Sequence, residues 1–307
     1  MRYCCYTVSG EPVALQTPIS VRIQAHEDAP ADDLTAVFAL ERAVPAIAAV
    51  RVFDGAQAVF SGVVDEQTMQ VTQGGATLKL VARSRAALLL DNEAMPREWS
   101  SPSLQELYDA YVQPYGFCGF VGNSGRFATK LNVTKGMSHW QVVEEFCIRC
   151  FGTVPRVTAE DVLDCSGELS GAPLVFDNAD QTALPYLSAV RSCRFYKRVS
   201  ELYLQPKAGK AYTAVLHDTT AHRLGIFRRR FAVANNYRGA RMIDSARRKA
   251  EEITVVCPGG VRSGLKAPAV LRDDVLGTLE KLSVAGWTYT QSVSGERCAY
   301  LLRCEDI

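Results

Sequence analysis

Residues Ile19-Ser20-Val21-Arg22-Ile23-Gln24-Ala25 alternate apolar and polar side chains at period two. A stretch patterned this way buries one face and wets the other only as a β-strand. Leu34 to Leu40 and Ile47 to Phe53 extend the same theme. Asp54-Gly55 then falls between Arg51-Val52-Phe53 and Ala58-Val59-Phe60, and Gly74-Gly75 between Met69-Gln70-Val71 and Leu78-Lys79-Leu80-Val81. Both dipeptides tolerate the positive φ of a tight hairpin turn. Short strands at this spacing, with no helical pattern between them, predict a sandwich or a barrel over residues 1–95.

The period changes in residues 96–185. Ser101-Pro102 reads as an N-cap with proline at the first helical position, followed by Leu104, Leu107, Tyr108 and Tyr111 at helical spacing up to Pro114 and Gly116. Ser138-His139-Trp140-Gln141 reads as a capping box, with Trp140, Val143, Cys147 and Cys150 on one stripe of a helix that stops near Gly152. Short strands follow at Val154 to Val157 and Val162 to Cys165. Residues 186–307 return to β, with candidates at 211–216, Leu224 to Phe231, Ile253 to Cys257, Leu279 to Thr290 and Cys298 to Leu302, interrupted by a polar helix from about Ala240 to Glu252. The expected fold class is mainly β (α+β): two β-rich regions around an α/β region, with no short-period repeat.

With 307 residues, 48% of them hydrophobic, the chain has enough apolar surface for two domains or three small ones and is no disordered tail. No run approaches the roughly 20 apolar residues of a membrane span. Met1-Arg2-Tyr3-Cys4-Cys5-Tyr6 also lacks the apolar core of a signal peptide. These features predict a soluble protein made in the cytosol, with no membrane contact. The ten cysteines are scattered, and a chain this size needs no disulfide framework, so most are expected to be reduced and buried.

Net charge is +1, but it is segregated. Residues 1–190 carry 13 basic and 22 acidic groups, residues 191–250 carry 15 and 3, and residues 251–307 carry 6 and 8. The basic block holds Arg191, Arg194, Lys197, Arg198, Arg228, Arg229, Arg230, Arg238, Arg241, Arg247, Arg248 and Lys249, interleaved with Phe195, Tyr196, Tyr203, Phe227, Phe231 and Tyr237. Basic groups among aromatics suit a nucleic-acid surface. Arginine-rich blocks also suit directional pairing with carboxylates, and the acidic surplus of residues 1–190 supplies a complement within the chain or on a neighbouring subunit. The pairing reading is favoured, with Arg228, Arg229, Arg230, Arg247 and Arg248 as candidate interface residues.

No catalytic, cofactor or metal constellation emerges. Cys147-Ile148-Arg149-Cys150 lacks a second ligand pair at zinc spacing and lies on the buried helix stripe. His26, His139, His217 and His222 are dispersed, with His217-Asp218 and His222 expected in a loop. No G-x-S-x-G elbow is present. The adjacent carboxylates Asp32-Asp33, Glu144-Glu145, Glu160-Asp161 and Asp273-Asp274 read as solvated charges. Gly259-Gly260-Val261-Arg262-Ser263-Gly264 matches neither phosphate-binding glycine pattern and reads as a turn.

Three motifs and the order of elements carry a family resemblance. Val52-Phe53-Asp54-Gly55 leads into Val59-Phe60-Ser61-Gly62-Val63-Val64-Asp65; Leu78-Lys79-Leu80-Val81-Ala82-Arg83-Ser84 precedes Leu89-Leu90-Asp91-Asn92-Glu93-Ala94; and Lys135-Gly136-Met137-Ser138-His139-Trp140-Gln141-Val142-Val143 enters a helix ending at Phe151-Gly152 before Pro155. These resemble the F-x-G-x-V/I-D hairpin, the strand ending in a G/A-R-S-like corner and the G-x-S-x-W-x-V-L helix entry of the baseplate central hub proteins of contractile phage tails and phage-derived injection particles. That family is related to the late-control D proteins and the hub part of type VI secretion spikes. Leu282 to Tyr289 and Arg297-Cys298-Ala299-Tyr300-Leu301-Leu302 are similar to its last hairpin, and its late Pro-Gly segment corresponds to Cys257-Pro258-Gly259 or to Lys266-Ala267-Pro268.

The resemblance implies a first tube-like β-barrel domain at 1–95, an α/β middle domain at 96–185 and a second β-barrel domain with a helical insertion at 186–307. It implies a non-enzymatic structural protein without cofactors: a homotrimeric ring adapting the six-fold tail tube to the three-fold spike. The implied partners are the tube or tube-initiator protein above, the spike protein below, and tape-measure and baseplate-wedge proteins. The implied location is the baseplate of a virion or tail particle assembled in the bacterial host cytoplasm. With the chain ending at Ile307, no lysozyme, peptidase or spike β-helix extension is expected. The alternative is a nucleic-acid-binding module using residues 191–250.

Overall fold

The computed structural model describes residues 1–128, 130–234 and 236–305. The side chain of Tyr237 and the chain end at Ile307 lie outside the described residues. The chain forms two compact units, the first from Met1–Leu169, Pro258–Leu265 and Gly286–Cys298, the second from Ser170–Cys257, Lys266–Ala285 and Ala299–Ile307. The expected mainly β class with α elements holds in both. Among the described residues no helix is long and apolar enough to cross a membrane.

In the first unit the alternating segments pair as an antiparallel series: Pro12–Val13, Arg2–Tyr6, Ala49–Asp54, Gln57–Thr72, Gly75–Ser84, Asp33–Leu40, Ser20–His26 and the 286–291 portion of Gly277–Ser292. Val21, Ile23 and Ala25 face the core while Arg22 is exposed, as period two requires. The first hairpin pairs Asp54 with Gln57, so its turn is Gly55-Ala56, one residue beyond the expected Asp54-Gly55, with Gly55 at φ 60°. The second pairs Thr72 with Gly75 and turns on Gln73-Gly74.

The hairpin motif has a packing reason. A Cβ on Gly62 would collide with the Arg83 carbonyl oxygen and the Phe60 ring, so only glycine lets these strands approach. Asp65 follows at a register shift between Val64 and Glu66. There Arg83 holds Asp65 (Nε to Oδ2, 2.7 Å) and Asp91 (Nη2 to Oδ2, 2.7 Å) together.

The α/β expectation for the middle of the chain is met within the same unit. Helix Leu104–Tyr111 begins after Ser103, not at Pro102: Ser103 Oγ accepts the Glu106 N–H at 3.2 Å while Glu106 Oε2 accepts the Ser103 N–H at 2.8 Å. Ser101 instead takes φ 52°, outside the helix. Ser138 and Gln141 form the expected box on helix His139–Cys150, with bonds of 3.2 and 2.8 Å. Trp140, Val143, Phe146 and Cys147 are buried and Cys150 is packed against them. Strand Val162–Asp164 runs parallel to Gly119–Val121 and antiparallel to Arg156–Val157. Of the cysteines, Cys5, Cys147, Cys165, Cys257 and Cys298 are buried, whereas Cys118 and Cys193 are exposed.

In the second unit Ser188–Cys193 pairs antiparallel with Glu251–Pro258, and Pro268–Asp273 pairs antiparallel with the start of Gly277–Ser292 and parallel with Leu174–Phe176. The polar helix spans Asn236–Ala250 and ends before Glu251 and Glu252. Those two residues enter the strand opposite Cys193 and Ser192, where their carboxylates meet arginines. The expected strand from Leu224 to Phe231 is replaced by helix Thr219–Arg223, a turn with Gly225 at φ 71°, and strand Arg229–Val233. Asp218 causes this by capping the helix, its Oδ1 accepting the Ala221 N–H at 3.0 Å.

Two measurements check these arguments. Gly62→Ala is expected to cost about 2–3 kcal/mol in chemical unfolding, since two backbone strands cannot separate locally. Burial, aided by Asp33 and opposed by Arg156, raises the Asp32 carboxyl to about 7. Against an unfolded value of about 3.9, the folded state then holds an extra proton between the two values and loses stability as pH rises through that window. Asp32→Asn is therefore expected to raise Tm by about 3 °C at pH 8 and to leave it unchanged at pH 4.

Candidate interface surface

The basic block lies in the second unit, where three strands form a small sheet. Glu201–Gln205 is central, antiparallel to Ala214–His217 and parallel to Arg229–Val233. Alternation divides its faces. Leu202 and Leu204 turn inward onto Ala234 and Ile243 of the chain leading into and along helix Asn236–Ala250. Gly239 belongs to this contact, because a Cβ there would come within 2.6 Å of Leu204 and 2.8 Å of Leu216.

Register places Glu201 between His217 and Arg229, and Tyr203 between Val215 and Phe231, on the outward face. Tyr203 and Phe231 ring centroids are 5.2 Å apart, Tyr212 stands edge-on to Phe231 at 5.1 Å, and the Arg229 guanidinium lies 5.0 Å from the Tyr203 centroid. Phe231 is 59% exposed and Phe227 83% exposed. An aromatic and cationic face of this kind suits a macromolecular contact.

The five candidate arginines do not share one environment. Arg229 donates to Glu201 (Nε to Oε2, 2.9 Å), which lowers the Glu201 carboxyl and raises the arginine. Arg230 is exposed on the same strand. Arg228 is anchored through its backbone: its N–H donates to Ser200 Oγ at 2.7 Å and its carbonyl accepts from Ser200 Oγ at 3.0 Å. Among the described residues, Arg228 and Arg230 have no carboxylate partner. Arg247 lies instead on the helix against Asp218 (3.1 Å) and Asp244 (3.5 Å), and Arg248 meets Glu305 at 2.8 Å.

The carboxylates that answer this block are local. Arg191 pairs with Glu251, Arg194 and Lys197 with Glu252, Arg198 and Arg247 with Asp218, and Arg229 with Glu201. None of these partners comes from residues 1–190, so the within-chain version of the expected acidic complement is not what neutralises these six side chains. Carboxylates one or two residues beyond the block, Glu251 and Glu252, or within it, Glu201 and Asp218, satisfy these charges first.

Glu252 is the most connected of these carboxylates. Burial pushes its carboxyl up, but Arg303, Lys197 and Arg194 outweigh that and hold it below the usual range. Arg303 is itself buried, with Nη2 2.6 Å from Glu252 Oε1. Asp218 is fully buried and behaves alike: burial raises it, and the Ala221 N–H, Arg247 and Arg198 pull it down further.

Residues that spacing alone left dispersed also converge. His217, at a strand end, and His222, in the one-turn helix, come together with Glu201, their ligand-type atoms all within 4.8 Å of one another. The available signal was the H-x4-H spacing, which lies in the range of zinc-binding pairs. The third member comes from cross-strand register and has no sequence spacing to announce it.

Comparisons with known proteins bear on the fold. No protein-family model matches the chain, and no curated protein matches it. Among solved structures, it resembles the 43 kDa tail protein of prophage MuSo2 from Shewanella oneidensis, at TM-score 0.78 and 14% identity over 98% of this chain and 97% of that one. It resembles the tail protein from Neisseria meningitidis MC58 at TM-score 0.77 and 18% identity over 99% and 97%. The E. coli c3393 protein, a type VI secretion component described as similar to the T4 tail proteins gp27 and gp5, matches at TM-score 0.60 and 8% identity over 93% and 73%. The chain therefore has the fold of phage tail and type VI secretion proteins, and the resemblance read in its motifs holds at that level.

The energetic weight of the local pairing is measurable. Glu252→Gln removes the carboxylate shared by Arg194, Lys197 and buried Arg303, and is expected to destabilise the protein by about 3 kcal/mol in denaturant unfolding.

Proposed function

We infer that the protein is the structural central hub of a contractile tail or injection machine: a homotrimer whose two tube-like β-barrel domains per subunit, at 1–95 and 186–307 around an α/β domain at 96–185, adapt the six-fold tail tube to the three-fold spike. The observation that carries this reading is likeness of fold along nearly the whole chain to two tail proteins, each itself covered over 97% of its length. The part played is non-enzymatic and needs no cofactor. Neighbours in the assembly are the tube or tube initiator, the spike, the tape measure and the baseplate wedges. The protein resides in the baseplate of a virion or tail particle built in the bacterial cytoplasm.

The subunit interface includes the basic segment with Arg228, Arg229, Arg230, Arg247 and Arg248. Its open face around Arg229, Tyr203 and Phe231 is the contact surface, with Arg230 exposed on the other side of the same outer strand, and Arg247 and Arg248 brace the helix behind it. Rings need heterologous, complementary surfaces, and segregated charge supplies them.

Mass measurement by light scattering, with negative-stain imaging, is expected to give a trimeric ring, alone or with the spike protein. Replacing Arg230 by Glu and Phe231 by Ser is expected to weaken trimer formation about tenfold or more while the monomer stays folded. A monomer at all concentrations and with tail partners present overturns the reading. So does DNA binding whose affinity falls steeply with salt and is lost when Arg228, Arg229 and Arg230 become alanine, which would favour the nucleic-acid module.

A further inference from the structure

We propose that Glu201, His217 and His222 form a binding site for a divalent transition metal of the zinc class. The three donors come from three consecutive elements. Glu201 opens strand Glu201–Gln205, His217 closes strand Ala214–His217 directly opposite it in antiparallel register, and His222 sits in helix Thr219–Arg223. Their ligand-type atoms lie within 4.8 Å of one another, and the imidazole centroids are 6.1 Å apart. Ligands on a four-coordinate zinc stand about 3.4 Å apart, given bonds of about 2.0–2.1 Å. Closing that gap takes only small side-chain torsions, and His217 is exposed and the other two half-buried.

The surroundings hold the donors in place. Asp218, between the histidines, is buried and capped onto the helix by the Ala221 N–H, and its other oxygen faces Arg247 and Arg198. The turn from strand to helix is thereby fixed, and with it the separation of His217 from His222. The His222 ring stands edge-on to Phe227 at 5.9 Å. Arg229 takes Glu201 Oε2, which leaves the second oxygen for a metal and orients the carboxylate in the way a supporting hydrogen bond does in known sites. Among the described residues no hydrogen bond joins Glu201 to either imidazole, so their proximity is not explained by one.

Two imidazoles and one carboxylate are a borderline donor set, suited to zinc, cobalt or nickel and poorly matched to calcium or magnesium, which take oxygen ligands. Three protein ligands leave a further position open toward solvent. Within the chain, the ion would tie the end of a strand to the short helix that follows it.

The test uses the full chain, free of any affinity tag and stripped with a chelator. Calorimetric titration with Zn2+ is expected to show one saturable site with a dissociation constant on the order of micromolar, and bound Zn2+ to raise Tm. His217→Ala, His222→Ala and Glu201→Gln are each expected to weaken binding about tenfold or more, while His26→Ala leaves it unchanged. Co2+ added to the wild-type protein needs no variant and is expected to give the intense visible absorption of a four- or five-coordinate ion. The proposal is overturned by no saturable Zn2+ binding up to about 100 μM, by a weak octahedral Co2+ spectrum, by preference for Ca2+ or Mg2+, or by unchanged affinity in any of the three ligand variants.

Discussion

Arg83 is the point on which the first unit turns. A bulge in a long strand exchanges the faces of all residues beyond it, so its position must be held or the alternation on both sides loses its meaning. Here the register shift falls next to Asp65, and the Arg83 guanidinium, on the paired strand, grips that carboxylate while reaching Asp91 at the end of the short helix Ala86–Asp91. Gly62, three residues earlier, lets the same strands close over Phe60. Two of the three short motifs that carry the family resemblance are thus one physical device: glycine for approach, aspartate at the bulge, arginine to lock it. Each pair is partly exposed and worth little alone, but the arginine acts on three chain segments at once.

The second unit solves a different problem. A segment with 15 basic and 3 acidic residues cannot fold on itself without relief from self-repulsion. The relief is close by. Glu201 and Asp218 within the block, and Glu251, Glu252 and Glu305 beyond it, take most of its guanidinium groups at ion-pair distance. Asp218 and Glu252 are buried, so these pairs do more than decorate a surface: removing either acid strands cations in a low dielectric. Counting charge by segment found the surplus but not where it goes, because partner choice depends on cross-strand register, such as Glu252 opposite Ser192.

Legibility followed the range of the interaction. Ser138 with Gln141 reads correctly since a capping box is a three-residue rule, and the strand at residues 20–26 reads correctly since alternation is local. Ser101 misleads because two serines compete for the cap and only the one with a glutamate three residues on completes the reciprocal pair. Glu251 and Glu252 continue a helical pattern by composition, yet arginines on neighbouring strands draw them into a sheet. The stretch after His217 misleads for a similar reason, since Asp218 ends the strand by capping a single helical turn that hydrophobic period is too short to reveal. Of the histidine and glutamate cluster only the H-x4-H spacing was legible; Glu201 joins it through a strand pairing between residues 201 and 217.

Glu201 finally limits what the exposed sheet face can offer a partner. Its carboxylate already holds Arg229, and the same arginine lies on the Tyr203 ring. Arg229 is therefore committed in two directions, and drawing it into a contact with another subunit would cost both interactions. Arg230 has no such ties among the described residues, and Phe231 next to it leaves more than half its surface in water. Arg228 keeps its backbone bonded to Ser200 while its side chain has no carboxylate to leave. Binding free energy is gained most readily where little must be broken first. The contact proposed for this small sheet accordingly rests on Phe231 on the Tyr203 face and on Arg230, exposed on the same outer strand but turned by alternation to the opposite side, and Arg229 serves as the brace that keeps Glu201 and Tyr203 in register.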